Sequence, residues 1–155
     1  MFHFNCFHLI STVFSYVSRE FWGKKYHVSM ATYNNPVNDL ATMCQEQLGG
    51  RLVEIQSEAE LNFFNNFLKK AVNDFYREHI LLGATYQNDV WQYLSSQDTI
   101  SYARWYSSEA IPSDSSQHCM YWVWNGHDEG MHSWVCKDGD TRLVCQTGIY
   151  VNGVL

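Results

Sequence analysis

At 155 residues, 46% hydrophobic and 16% aromatic, the chain suffices for one compact domain with a filled core, and two domains would be crowded. Sixteen acidic against ten basic residues give a formal charge of -6, which excludes an electrostatic grip on phosphate backbones and so excludes nucleic acid as a partner. Lys24-Lys25 and Lys69-Lys70 are isolated pairs with no basic stripe around them and read as solvated surface.

In chain order, the first feature is FHFNCFHLISTVFSYV, residues 2–17, apolar but interrupted by His3, Asn5 and His8. It is too short and too polar for a stable membrane span. It predicts a signal peptide over residues 1–18, with small residues for cleavage near Ser15 to Ser18, and hence a secreted, extracellular protein. Cys6 leaves with that leader, so five cysteines become four: Cys44, Cys119, Cys136 and Cys145. No C-x-x-C pair occurs and His118 simply adjoins Cys119, so the spacings do not suit zinc. A disulfide framework follows, with three connectivities open. No N-x-S/T sequon is present, so the mature form is expected without N-linked glycan.

Two helices come next. In NNPVNDLATMCQEQLGG, Asn35 suits the cap, Pro36 the first helical position, and Val37, Leu40, Ala41, Cys44 and Leu48 one face, before Gly49-Gly50 ends the helix. The short run RLVEI is strand-like. The second helix starts at Ser57, whose SEAE sequence is a capping box with Glu60, and Leu61, Phe64, Leu68, Ala71, Val72 and Phe75 make its buried stripe.

From Ile80 the pattern turns to short β-prone segments: ILLGATY, VWQYL, YARWY, CMYWVWN and TRLVCQ. The order, a strand, two helices and then several strands, predicts an α+β domain with antiparallel sheets. Trp105, Tyr106, Tyr121, Trp122, Trp124 and Trp134 gather in the last third of the chain. In CMYWVWN, alternation puts Met120, Trp122 and Trp124 on one face and Tyr121 and Val123 on the other, so at least one tryptophan set packs inside.

Catalysis is not expected. HDEGMH places His127 and His132 five apart around two acids, but it is not H-E-x-x-H and falls in a predicted loop. No G-x-S-x-G, phosphate loop or activated cysteine is present. A histidine site for zinc or copper would need His118, His127 and His132 to converge.

The helix followed by LGGRLVEIQSEAE, then LLGA, Trp91, YARW ending at Trp105, and Cys119, Cys136 and Cys145 in that order resemble a C-type lectin-like domain over residues 21–146. The resemblance implies a double-looped domain, here residues 19–147 with a short tail at 148–155, in which Cys44 pairs with Cys145 and Cys119 with Cys136. It also implies a recognition module for a glycan or a protein partner. Sugar-binding members carry a Glu-Pro-Asn or Gln-Pro-Asp triplet in the long loop and a Trp-Asn-Asp triplet before the third cysteine, which hold calcium and sugar together.

Here those triplets read Ile111-Pro112-Ser113 and Met131-His132-Ser133, with Gln117 and His118 where further acids are usual. Calcium takes six to eight oxygen ligands, and hydroxyls, one amide and an imidazole serve it poorly. No cofactor is therefore expected; a displaced cation site would need Asp128 and Glu129 to meet Glu109 or Asp114. Asp138 and Asp140 suit a turn around Gly139. The ligand surface is expected from Glu109, Asp114, Asn125, Asp128 and Glu129 as polar groups, with Trp124 or Trp134 as the stacking platform.

Overall fold

The structure, a computed structural model, describes residues 15–72, 79–106, 111–112, 118–124, 129–136 and 141–148. Strands β1 (Tyr16–Phe21) and β2 (Lys24–Tyr33) form a hairpin, followed by α1 (Val37–Leu48), β3 (Arg51–Leu52) and α2 (Glu58–Ala71). Then come β4 (His79–Gln87), β5 (Val90–Tyr93), β6 (Cys119–Trp124), β7 (Glu129–Trp134) and β8 (Thr141–Gly148). The sheet runs β1-β2-β8-β4-β6-β7, with β3 on β8 and β5 on β4. β8 returns to pair with β2 near the start of the fold. The pairings are antiparallel except where β4 meets β8 side by side at Ile80 and Arg142, which makes the sheet mixed rather than wholly antiparallel.

The sheet is buried on both faces. Tyr26, Val28, Ile80, Leu82, Met120, Trp122 and Val144 pack with Leu61, Phe64 and Leu68 of α2. The alternate residues Leu81, Cys119, Tyr121, Leu143 and Cys145 pack with Leu40 and Cys44 of α1. Successive strand residues point to opposite sides, so a doubly covered strand reads as an unbroken apolar run such as ILLGA or CMYW. Both faces of β6 are core, with Trp122 fully buried.

Both disulfides form, Cys44 with Cys145 and Cys119 with Cys136, at Cα separations of 5.5 and 5.0 Å. Local chemistry explains the second helix: Ser57 Oγ accepts from the Glu60 N–H at 3.1 Å. The Glu60 carboxylate reaches back past Ser57 to the Gln56 N–H, at 2.8 Å. Leu61, Phe64, Leu68 and Val72 are buried, Ala71 is partly so, and Phe75 lies outside the described residues. The first helix differs from expectation by one residue. Its N-cap is Pro36, with no side-chain cap, so Asn35 does not close it. RLVEI supplies only the two-residue β3, although Val53 still donates to the Val144 carbonyl.

Two further expectations are corrected. YARWY is no strand: it lies along β7 through a single bridge, with Tyr106 N–H on the Met131 carbonyl at 2.8 Å. Conversely, the EGMH of HDEGMH, expected as loop, belongs to strand β7, which pairs along its length with β6. Gly130 permits this docking, because a Cβ there would sit 2.4 Å from the Tyr106 nitrogen. β1 begins at Tyr16, inside the segment assigned above to the leader, and pairs residue by residue with β2 from Ser29 back to Lys24.

His27 on β2 links first and last strands: its Nδ1 meets Ser18 Oγ at 2.8 Å and its Nε2 meets Thr147 Oγ1 at 2.9 Å. Burial first, and the Lys25 charge second, lower its pKa from the ordinary histidine value. A lowered folded pKa means that neutral His27 stabilises the fold fully above about pH 6.5, and that this contribution is lost as pH falls through the folded value. Melting temperatures taken from pH 7.5 to 5.5 should therefore drop more for the wild type than for His27→Gln. Parallel curves would show that His27 does not titrate against folding.

Candidate functional site

The hairpin β6–β7 carries the described part of the expected ligand surface, and alternation divides it between two faces. Glu129 pairs across the hairpin with Trp124, and both turn toward α2. The Glu129 carboxylate accepts from Arg104 at 3.2 Å and from Asn65 Nδ2 at 3.2 Å, with Lys69 Nζ at 3.9 Å. Lys69 also sits 4.7 Å from the Trp124 ring centre, a cation over an aromatic face. Glu129 is thus neutralised by two cations and fixed by an amide.

His132 and Trp134 project from the other face of β7. Their rings stack at 5.1 Å and 27°, and Tyr106 meets His132 edge-on at 6.4 Å. All three are half-buried. Trp134 consequently does not share a surface with Trp124 and Glu129, which period-two alternation separates. Trp105, by contrast, packs on Trp91 at 5.3 Å as part of the core. Glu109, Asp114, Asn125 and Asp128, together with Gln117 and His127, lie outside the described residues.

The described residues of the two replaced calcium triplets do not fit the ion, and Ser113 lies outside the described residues. Ile111 is 71% exposed and offers no side-chain oxygen; Met131 is 1% exposed and in the core, and Ser133 is 3% exposed. His118 Nδ1 meets the Tyr86 carbonyl at 3.1 Å, and His132 stands in the aromatic stack. Among the described residues, no three histidine, cysteine, aspartate or glutamate side chains converge on a metal position. What remains at the hairpin is a set of aromatic faces with hydrogen-bonding edges, suited to a ring with an apolar face and polar substituents.

Sequence reasoning missed the role of α2 here. Asn65 and Lys69 lie four apart on α2, and the spacing places them on one helix face. Only a knowledge of which strand that face meets could have linked them to Glu129.

The sequence model of the Lectin C-type domain matches residues 33–147. No curated protein matches the chain significantly by sequence. Human lithostathine is similar in structure, with a TM-score of 0.71 at 20% identity, covering 85% of this chain and 97% of that one. The C-type lectin domain of murine dendritic cell inhibitory receptor 2, solved in complex with N-glycan, gives 0.68 at 20% identity, covering 85% and 96%. The calcium-independent C-type lectin SPL-2 from Saxidomus purpuratus gives 0.66 at 14% identity, covering 88% and 93%. With the family match spanning most of the chain, and with helices, mixed sheet and both disulfides in place, the chain belongs to the C-type lectin domain family, whose members are typically not enzymes.

Proposed function

We propose that this chain is a secreted recognition module that binds carbohydrate without calcium, on the β7 face that carries His132 and Trp134. The observation that carries this reading is the Tyr106–His132–Trp134 stack. His132 and Trp134 lie in the stretch just before the third cysteine where sugar-binding members carry calcium ligands. Half-exposed rings in that position offer a sugar its C–H contacts directly. Glu109, Asp114, Asn125 and Asp128 are the polar candidates from the neighbouring loops. Glu129 and Trp124 serve the opposite face, where Glu129 anchors Arg104 and Lys69.

Secretion accords with a two-disulfide domain, since such bonds persist in oxidising compartments. We place leader cleavage on the N-terminal side of Tyr16, because cutting at Ser18 would remove half of β1. No helix among the described residues is long and apolar enough to cross a membrane.

The test is glycan-array retention with and without chelator, for the wild type and for Trp134→Ala. Retention should be indifferent to chelator and fall at least about tenfold in the variant, roughly 1.4 kcal/mol. The melting temperature should be the same in millimolar calcium and in chelator, because an ion bound to the native state raises it with concentration. A calcium-dependent rise that Asp128→Ala abolishes would show that a displaced site exists. Absence of any glycan signal, with capture of one protein partner, would replace the sugar reading by a protein-interaction role.

A further inference from the structure

The turn between β1 and β2 places a tryptophan where the backbone suits asparagine or glycine. Phe21 pairs with Lys24, leaving Trp22 and Gly23 as a two-residue connection, with φ of 47° and 74°. Positive φ at both central positions is the requirement of a type I′ hairpin turn, met readily by Asn-Gly and disfavoured for a bulky side chain. Burial does not account for the choice, because Trp22 is 85% exposed. Strained backbone that packing does not explain points to a use.

The indole is nevertheless held in place. One face stacks on Phe21 at 5.0 Å and 8°, and Phe21 stacks in turn on Phe63 of α2 at 4.7 Å. Beside it is a cavity of about 180 Å³ lined by Phe21, Trp22, Lys24, Gln56, Ser57 and Glu60. Lys24 Nζ donates to Gln56 Oε1 at 2.9 Å and to Glu60 Oε1 at 2.8 Å, so its charge is already balanced. Ser57 Oγ accepts from the Glu60 N–H, which leaves the hydroxyl proton, like the Gln56 amide N–H groups, without an acceptor among the described residues.

We propose that the Trp22 hairpin and the start of α2 form a second saccharide site, separate from β7, that takes one neutral pyranose ring. The ring's C–H face lies on the indole and its hydroxyl oxygens accept from Gln56 and Ser57. Balanced charge at Lys24 gives an anion no advantage. A lipid surface would need further exposed apolar groups around the indole, and among the described residues the other large exposed apolar side chains, Met30, Val90 and Ile111, are not part of this cavity. A flat aromatic platform with a polar rim and a cavity of single-ring size fits a sugar.

The experiment follows tryptophan indole N–H signals of nitrogen-15-labelled protein during titration with chitotetraose, cellotetraose, lactose and mannotriose, each to about 10 mM, a range that resolves millimolar dissociation constants. The Trp22 signal is the one missing from Trp22→Asn. At least one sugar should move it, with a millimolar dissociation constant. With the backbone amide signals of Lys24 and Gln56 as the readout common to all variants, Trp22→Asn, which suits the turn and should keep or raise the melting temperature, should weaken that binding at least tenfold, while Trp134→Ala leaves it unchanged. A Trp22 signal unmoved by all four sugars overturns the proposal, as does undiminished affinity in a folded Trp22→Asn. Movement of the Trp134 signal alone would uphold the β7 site and overturn this one.

Discussion

Replacing Cys44 and Cys145 together by alanine is expected to destabilise the domain by about 4 kcal/mol or more, judged from loop closure alone. The bond joins positions 101 apart in sequence, and a loop of about 100 residues is worth about 4.7 kcal/mol in the chain-entropy account. Both cysteines are fully buried between α1 and β8, against Leu40, Leu52, Leu81 and Leu143, so alanine also leaves unfilled space beside those side chains. The Cys119–Cys136 bond closes a separation of only 17, worth roughly 3 kcal/mol. Against a typical total of about 5–15 kcal/mol, the first loss can remove much of the stability and the second less. Equilibrium urea unfolding of the two double variants checks the order. A Cys44/Cys145 variant within about 1 kcal/mol of wild type would mean that β2–β8 pairing alone closes the fold.

What the sequence discloses divides along the range of the interactions concerned. The capping box at Ser57 depends on residues three apart, and it forms as its pattern indicates. ILLGATY and CMYWVWN are apolar on both faces, so helices on both sides of the sheet leave their strand character visible. β7 was hidden because its Glu129, Gly130, His132 and Ser133 look like loop chemistry, and the first three are accommodated by residues distant in sequence. Glu129 finds Arg104 and Asn65, and Gly130 admits Tyr106. YARWY misleads in the opposite sense: its aromatics pack on Trp91 and His132 without a ladder. The disulfide pairing could not be derived from four cysteines, since three connectivities are equal until topology is known. The family resemblance supplied that topology. For the expected ligand surface, the sequence could name Trp124, Glu129 and Trp134 as candidates, but their division between two faces required β7 to be recognised as a strand.

Glu60→Ala should cost about 3 kcal/mol, the low end of the range for breaking a buried charge network from one side. Glu60 is 3% exposed, and its carboxylate accepts from Lys24 Nζ, the Tyr26 hydroxyl and the Gln56 N–H. Tyr26 is itself fully buried, and burial together with the Glu60 hydrogen bond raises its pKa well above the usual tyrosine value, so it stays a donor at any ordinary pH. Alanine therefore strands the buried Tyr26 hydroxyl, costing about 1–3 kcal/mol, and removes the acceptor of the Gln56 N–H at the solvent-facing edge of the junction. Lys24 is different. Its side chain keeps 23% exposure, and a partly solvated ammonium can recover its hydration, so Lys24→Ala should cost only about 1 kcal/mol. Glu60→Gln should fall between, because the amide oxygen can still accept while the amide N–H groups meet Lys24 unfavourably. Urea unfolding of the three variants separates a hub from an ordinary ion pair. If Lys24→Ala cost as much as Glu60→Ala, the salt bridge would be the whole interaction, and the tie between β2 and the N-terminus of α2 would be electrostatic instead of a buried hydrogen-bond junction.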